Sequence, residues 1–363
     1  MAGRRGARRS QSELIEDSSE IGKRTRLSAT TESLVKALSS LRLIDVHHHI
    51  VLPEYEKALV RSGAADPSRP LRKNSSPQSA LQSMAEIGID AAVLNPLSVA
   101  GVHHGDDANA RYLTETTNEA LASFTSFAPD KLGFFAAMPL PDIDGALRQM
   151  QHALDTLAAD GVIFLSNQNG YYVGDPAFEP LYAEMDRRSV VAFVHPASPA
   201  YVSTLRLNLW PAYIEYPFET TRVAVNLIYN GIMARYPRIR WILAHAGGTL
   251  PYLSVRLRLM EESDKGEPPF IERVPEGVAP YLRAFYYDVA IAGGVAPVAA
   301  LTEAADPTHI LYGSDWPYLD RGYVTDQLAS LIGLPQFQGA RLNPLEYRNA
   351  AALFGRFARR LDQ

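Results

Sequence analysis

Nine histidines and no cysteine stand among the 363 residues, and five side chains of metal-binding type fall where apolar runs end. The first run reads Leu43-Ile44-Asp45-Val46-His47-His48-His49. Alternate side chains of a strand share a face, so His47 and His49 point one way and His48 the other. Two imidazoles on one side of a strand end can chelate a single divalent ion, with metal–nitrogen distances of about 2.0–2.1 Å. A hydrogen-bonded polar strand end accounts for the pair equally well. The fifth run, Val190-Val191-Ala192-Phe193-Val194-His195-Pro196, also ends in histidine. The sixth, Trp241-Ile242-Leu243-Ala244-His245-Ala246-Gly247-Gly248, ends in a histidine followed by glycines that admit close approach. The eighth, Ile310-Leu311-Tyr312-Gly313-Ser314-Asp315-Trp316-Pro317, carries Asp315 into an apolar setting, where an unpaired carboxylate is costly. Without cysteine there is no thiolate nucleophile, disulfide framework or Cys-ligated zinc, so a metal site must be built from imidazole and carboxylate.

These residues need elements that bring them together. Short apolar runs lie at Leu43–Val46, Ala91–Leu94, Gly133–Ala137, Gly161–Leu165, Val190–Val194, Trp241–Ala244, Phe285–Val289 and Ile310–Tyr312. Amphipathic stretches separate them. One carries Leu147, Met150, Leu154 and Leu157 at helical spacing, begins near Asp144 and is predicted to stop at Gly161. Another is predicted to open at Thr221, carry Val225, Ile228 and Ile232, and close at Pro237. Continuous apolar strands imply a parallel sheet buried on both faces. Eight strand–helix units make a closed (β/α)8 TIM-like barrel the expected α/β fold, with a doubly wound open sheet as the alternative. No glycine-rich phosphate fingerprint follows the first strand to favour the latter. In a barrel every strand C-terminus meets on one rim, so His47, His49, His195, His245 and Asp315 converge there. Such a set is a mononuclear nitrogen/oxygen metal site with one histidine to spare.

Composition narrows the field. Hydrophobic residues make up 47% and charged residues 21%, ordinary values for a globular protein. The net charge of −5 argues against nucleic-acid binding, and no apolar run approaches the roughly 18–20 residues of a membrane span. Met1–Arg26 is polar and mixed in charge, an expected disordered arm. Ser28–Leu41 carries Leu34, Leu38 and Leu41 at the spacing of a short helix, with continuation of the solvated tail as the default reading. The expected division is therefore an extension over 1–41 and a barrel over 42–363, in a cytoplasmic protein. His103 and His104, after the second strand, read as residues of a solvent-exposed loop.

The motifs Ile44-Asp45-Val46-His47-His48-His49, Val194-His195-Pro196, Ala244-His245-Ala246-Gly247-Gly248 and Gly313-Ser314-Asp315-Trp316-Pro317 resemble those of the amidohydrolase superfamily. Within it the chain is similar to the metal-dependent decarboxylase branch, which includes aminocarboxymuconate semialdehyde, 6-methylsalicylate, resorcylate and carboxyvanillate decarboxylases. Pro217-Phe218-Glu219-Thr220-Thr221-Arg222 and Tyr286-Tyr287-Asp288 share the likeness, which runs from about Leu43 to Phe354. The resemblance implies that His47, His49, His195 and Asp315 bind the metal and that His245 activates water or substrate beside it. It implies that Arg256 holds the substrate carboxylate, and that Phe218 and Tyr318 touch the ring or its hydroxyl. His245 and Asp315 are the two candidate proton donors.

Two departures sharpen the expectation. Binuclear members carry a lysine after the fourth strand, and Gly161-Val162-Ile163-Phe164-Leu165-Ser166-Asn167 has none, so one metal is expected. Resorcylate decarboxylases place Glu at the first ligand position and three residues after the rim histidine; here those positions hold His47 and Gly248. The resemblance therefore favours a 6-methylsalicylate-type enzyme, a carbon–carbon lyase removing CO2 from an ortho-hydroxy aromatic or related unsaturated acid. Hydrolysis of a lactone or amide, or hydration, is the alternative use of such a site. Zn2+ is the expected metal with Mn2+ the alternative, the partner is a small carboxylic acid, and the implied assembly is a homodimer or larger.

Overall fold

A computed structural model describes residues 41–63, 76–96, 101–104, 106–337 and 347–361. The expected N-terminal arm and its helix lie outside the described residues, apart from Leu41. Eight parallel strands follow one another around a single sheet: β1 (Ile44–His49), β2 (Ala91–Asn95), β3 (Leu132–Ala137), β4 (Gly161–Leu165), β7 (Val191–His195), β8 (Arg240–Leu243), β9 (Tyr286–Asp288) and β10 (Ile310–Leu311). The small strands β5 (Asn167–Gln168) and β6 (Tyr171–Tyr172) form a separate antiparallel pair after β4. The sheet closes on itself. Val46 N donates to Tyr312 O, Asp315 N to His47 O and His49 N to Trp316 O, joining the last strand to the first. This is a barrel and not an open doubly wound sheet, because both edges of an open sheet would leave those backbone groups unpaired.

The strand runs are buried on both faces, as their uninterrupted apolar sequences require. Ladder partners in a parallel sheet point to the same side. Ile163↔Phe193, Phe193↔Ile242 and Leu165↔His195 therefore mark the inward face, and Trp241 with Phe164 the helix-facing one. Phe135 and Phe193 meet inside at 5.4 Å, and Phe193 lies 5.1 Å from the ring of His47. Fully burying each such side chain contributes roughly 1.5–3 kcal/mol, and the stack gives the metal-binding residues a dry floor. No helix among the described residues is long and apolar enough to cross a membrane.

Three helix boundaries differ from the sequence expectation. The Leu147 stripe lies on Ile143–Asp155, capped by Asp142 accepting from Gly145 N, and ends at Thr156 well before Gly161. Thr221 is not an N-cap but the interior of Glu215–Tyr229, with its hydroxyl donating to Pro217 O four residues back. That helix stops at Gly231, whose left-handed φ of 66° breaks it before a single turn at Ile232–Arg235.

Candidate active site

β1 carries more chemistry than its length suggests, because it is irregular. Asp45 pairs with Ala92 and His48 with Leu94, so three residues on β1 span two on β2. The bulge turns Asp45 and His48 to one side, where they hydrogen-bond at 3.0 Å, and leaves His49 facing inward. Asp45 Oδ1 also accepts from the backbone N–H of His47 and of Ser314, each at 3.0 Å, and its Oδ2 accepts from Ser314 Oγ. One buried carboxylate thus locks the strand end bearing His47 to the one bearing Asp315.

The rim gathers the predicted residues. His47, His49, His195 and Asp315 are buried, and their ligand atoms all lie within 4.8 Å of one another. His47 Nε2 stands 3.0 Å from His49 Nε2, and Asp315 Oδ1 stands 3.3 and 3.1 Å from those two nitrogens. Ligand atoms each about 2.1 Å from one ion are separated by roughly 3.0–3.4 Å, so these three spacings fit a common coordination sphere. Ring orientation is set from behind. His47 Nδ1 donates to Asp288 Oδ2 at 2.8 Å and His195 Nδ1 to the Pro196 carbonyl at 2.8 Å, which leaves Nε2 of each as the available ligand.

Electrostatics agree with a cation site. Burial disfavours a charged His47, but the carboxylates of Asp288 and Asp315 outweigh it and raise the imidazole from 6.5 to about 10. A field that holds a proton at neutral pH holds a metal dication by the same attraction. Burial would raise the Asp315 carboxyl, yet its histidine neighbours drive it well below the usual range, so it is an anion. Burial keeps His49 and His195 below the ordinary imidazole value, and neutral imidazoles are what a metal requires.

His245 completes the set from the loop after β8. Its Nε2 is 3.5 Å from Asp315 Oδ2, the oxygen turned away from His47 and His49. His245, Ala246 and Asp315 all adopt left-handed φ values of 55–56°. Each costs of order 1–3 kcal/mol for a residue with a Cβ and persists only where surrounding bonds enforce it. Here His245 N donates to Asp288 Oδ1 at 3.0 Å and Asp315 N to His47 O at 2.8 Å. The loop then passes against the helix Glu215–Tyr229: a Cβ on Gly248, at φ +64°, would lie 2.0 Å from the Pro217 carbonyl oxygen. On this backbone a glutamate at that position has no room.

The remaining predicted residues divide. Tyr318 packs edge-on against His49 with ring centroids 4.7 Å apart, at the site. Phe218 is 41% exposed, whereas Tyr216 on the same helix is the aromatic that faces His195, at 6.5 Å. Arg256 is exposed on the helix Leu250–Met260, as is Arg258. His103 departs from the exposed-loop expectation: its ring is largely covered, bonded to Asn169 at 2.7 Å and to Asp107 at 3.1 Å.

Two functional groups were given no role from sequence. Asp288 stood only within a family motif, although it is a charged residue closing a buried strand, the same signal that marks Asp315. Glu219 is fully buried and accepts from Ser166 Oγ, Asn167 Nδ2, Tyr172 OH and Arg222, while Ser166 Oγ accepts in turn from Ala197 N. It ties the helix Glu215–Tyr229 to the segment after β4 and, through Ser166, to Ala197, two residues beyond His195.

A barrel whose rim presents three histidines and an aspartate, with a fourth histidine beside them, defines a class of metal-dependent enzyme. The chain belongs to the amidohydrolase family, whose model matches residues 44–361. It lies in the decarboxylase branch of that superfamily. A 6-methylsalicylic acid decarboxylase of Penicillium expansum is 35% identical over 279 residues, covering 76% of this chain and 84% of the relative. The crystal structure of an amidohydrolase II superposes with a TM-score of 0.77 at 28% identity, over 86% of this chain and 99% of that one. A dihydroxybenzoic acid decarboxylase from Polaromonas, solved with manganese and an inhibitor, shares the fold with a TM-score of 0.71 at 20% identity, over 87% of this chain and 97% of that one.

Proposed function

We propose that this carboxy-lyase removes CO2 without oxidation from an ortho-hydroxy aromatic acid of the 6-methylsalicylate type. The observation that carries the reading is the division of Asp315: one oxygen faces His47 and His49, the other faces His245. His47, His49, His195 and Asp315 would hold a divalent metal, which when bound supplies Lewis-acid chelation of the carboxylate and the ortho oxygen.

The chain's own groups then act on a ring carbon. Direct loss of CO2 would leave an aryl carbanion, so the carbon bearing the carboxylate must first accept a proton. That proton comes from His245 Nε2 or, once the anion has itself taken up a proton, from Asp315 Oδ2, which lies 3.5 Å away. When the bond to the carboxylate breaks, its electron pair returns to the ring, aromaticity is restored and CO2 leaves; one proton in and one CO2 out balance the reaction. General acid catalysis of this kind contributes typically 10²–10⁴-fold. The aromatic stack below and the edge of Tyr318 shield the reacting carbon from water.

Zn2+ suits a set of three imidazoles and one carboxylate, with Mn2+ the alternative. A homodimer or larger assembly, in the cytoplasm, belongs to the same reading. The assembly is supported by exposed apolar side chains on one helix, Tyr252 at 83% and Leu259 at 70%. Arg256 stands on that helix, and its action on the substrate carboxylate belongs to the assembled form. The test is a panel of 6-methylsalicylate, salicylate and aminocarboxymuconate semialdehyde, read by CO2 release and by the matching product. Release of CO2 that is abolished by chelation and restored by Zn2+ or Mn2+ is expected. Consumption of lactones with no CO2 from any acid would transfer the site to hydrolysis.

A further inference from the structure

Asn95 ends β2 on the rim, and its ladder partner on β1 is the metal-binding residue His49. Partners in a parallel ladder face the same side, so the Asn95 side chain points into the barrel mouth beside that imidazole. The neighbouring strands keep the parity: Val93, two residues before Asn95, pairs with Gly133, and Phe135 and Ile163 continue the inward face. Asn95 is 0% exposed, and neither its Oδ1 nor its Nδ2 has a hydrogen-bond partner among the described residues.

The other buried asparagines among the described residues have partners. Asn118 accepts from Ala137 N and donates to Ala137 O, and Asn349 donates to the carbonyls of Pro307 and Ile310. A carboxamide buried with both ends unpaired costs about 1–3 kcal/mol per group, and folded proteins keep few of them. At the mouth of a catalytic barrel, the physical reason to retain one is a ligand that pairs with it.

We propose that Asn95 is a substrate-binding and specificity-determining residue whose carboxamide pairs with a phenol-type hydroxyl on the aromatic acid. Such a hydroxyl can donate to Oδ1 of Asn95 or accept from its Nδ2, so it pairs with the carboxamide whichever way that group is turned. An acid lacking it leaves the buried amide unpaired, and a site built around a polar pair rejects such an analogue far more strongly than a missing methylene. The inference rests on the aromatic-acid reading above. The same amide also lies next to His49, whose Nδ1 is likewise without a partner among the described residues. Support of that ring is therefore the competing role the test must separate.

The experiment compares wild type with Asn95→Leu, which is close in size and apolar, and with Asn95→Ala should the first fail to fold. Calorimetry on metal-loaded protein measures binding of salicylate and of benzoate, and Zn2+ titration of stripped protein measures the metal. Wild type should prefer salicylate. The Leu variant should narrow that preference through a ~10–100-fold weaker salicylate affinity, with benzoate and Zn2+ affinities within about threefold of wild type. Its unliganded melting temperature should match or exceed that of wild type. An unchanged salicylate-to-benzoate ratio overturns the proposal, as does a Zn2+ affinity reduced tenfold with both acids weakened alike. If wild type releases no CO2 from any hydroxybenzoate, the decarboxylase reading fails, while the binding ratio still decides the role of Asn95.

Discussion

Asp288 grips His47 from behind, Oδ2 to Nδ1 at 2.8 Å, and with its other oxygen accepts the backbone N–H of His245 at 3.0 Å. A metal-binding imidazole and the rim histidine are thus oriented by one buried carboxylate, which also accepts from Ala290 N. Orientation of the ring and the strained backbone at His245 are therefore a single problem with a single solution.

Asp288→Asn keeps the size of the side chain but removes the charge and leaves the tautomer of His47 unfixed. Loss of such an outer partner typically lowers metal affinity or activity by about 10–100-fold. Metal titration and turnover should both fall by that order while circular dichroism stays unchanged. Wild-type metal affinity in the variant would remove Asp288 from this role.

His245→Asn retains the four ligands and removes the imidazole opposite Asp315 Oδ2. Turnover is expected to drop by about 10²–10⁴-fold with metal content intact. Elemental analysis beside steady-state rates checks both halves. An unaffected rate would leave proton donation to Asp315 alone.

Gly248→Ala places a methyl against the Pro217 carbonyl in a left-handed conformation. Overpacking of this kind costs about 1–3 kcal/mol, and the relief available is a shift of the His245 loop. Denaturant unfolding should show the loss, and activity should fall with it. Gly355→Ala, where nothing lies within 4 Å, should be close to neutral in both.

Asp160, at the opposite end of the barrel, has its side chain largely covered beside Arg356 at 3.0 Å and accepts from Phe134 N at 3.0 Å. Burial outweighs both partners and raises its carboxyl from 3.8 to about 6. The folded state therefore holds this proton more tightly than the unfolded chain does. Stability falls as pH rises from about 4 to about 6 and then levels, by up to about 3 kcal/mol. Asp160→Asn should abolish that slope and be more stable than wild type above pH 6. Unfolding curves at pH 4.5 and 7.5 decide it: an identical pH dependence in both proteins would show that Asp160 is not its source.

The repeated apolar runs and the polar residues closing them determined the barrel and its metal-binding set, because strand period and rim position are local properties. His47, His49, His195, His245 and Asp315 were legible for that reason. Tertiary structure alone decided the rest. The β1 bulge sends Asp45 to Ser314, 269 residues away, and Asp288 reaches His47 across 241 residues. Tyr216 faces His195 because a helix begins at Glu215 and not at Thr221. Asn95 became visible only when its burial could be set against its lack of partners. Closure of the sheet creates these contacts, and no periodicity within a short segment encodes which distant backbone will arrive beside it.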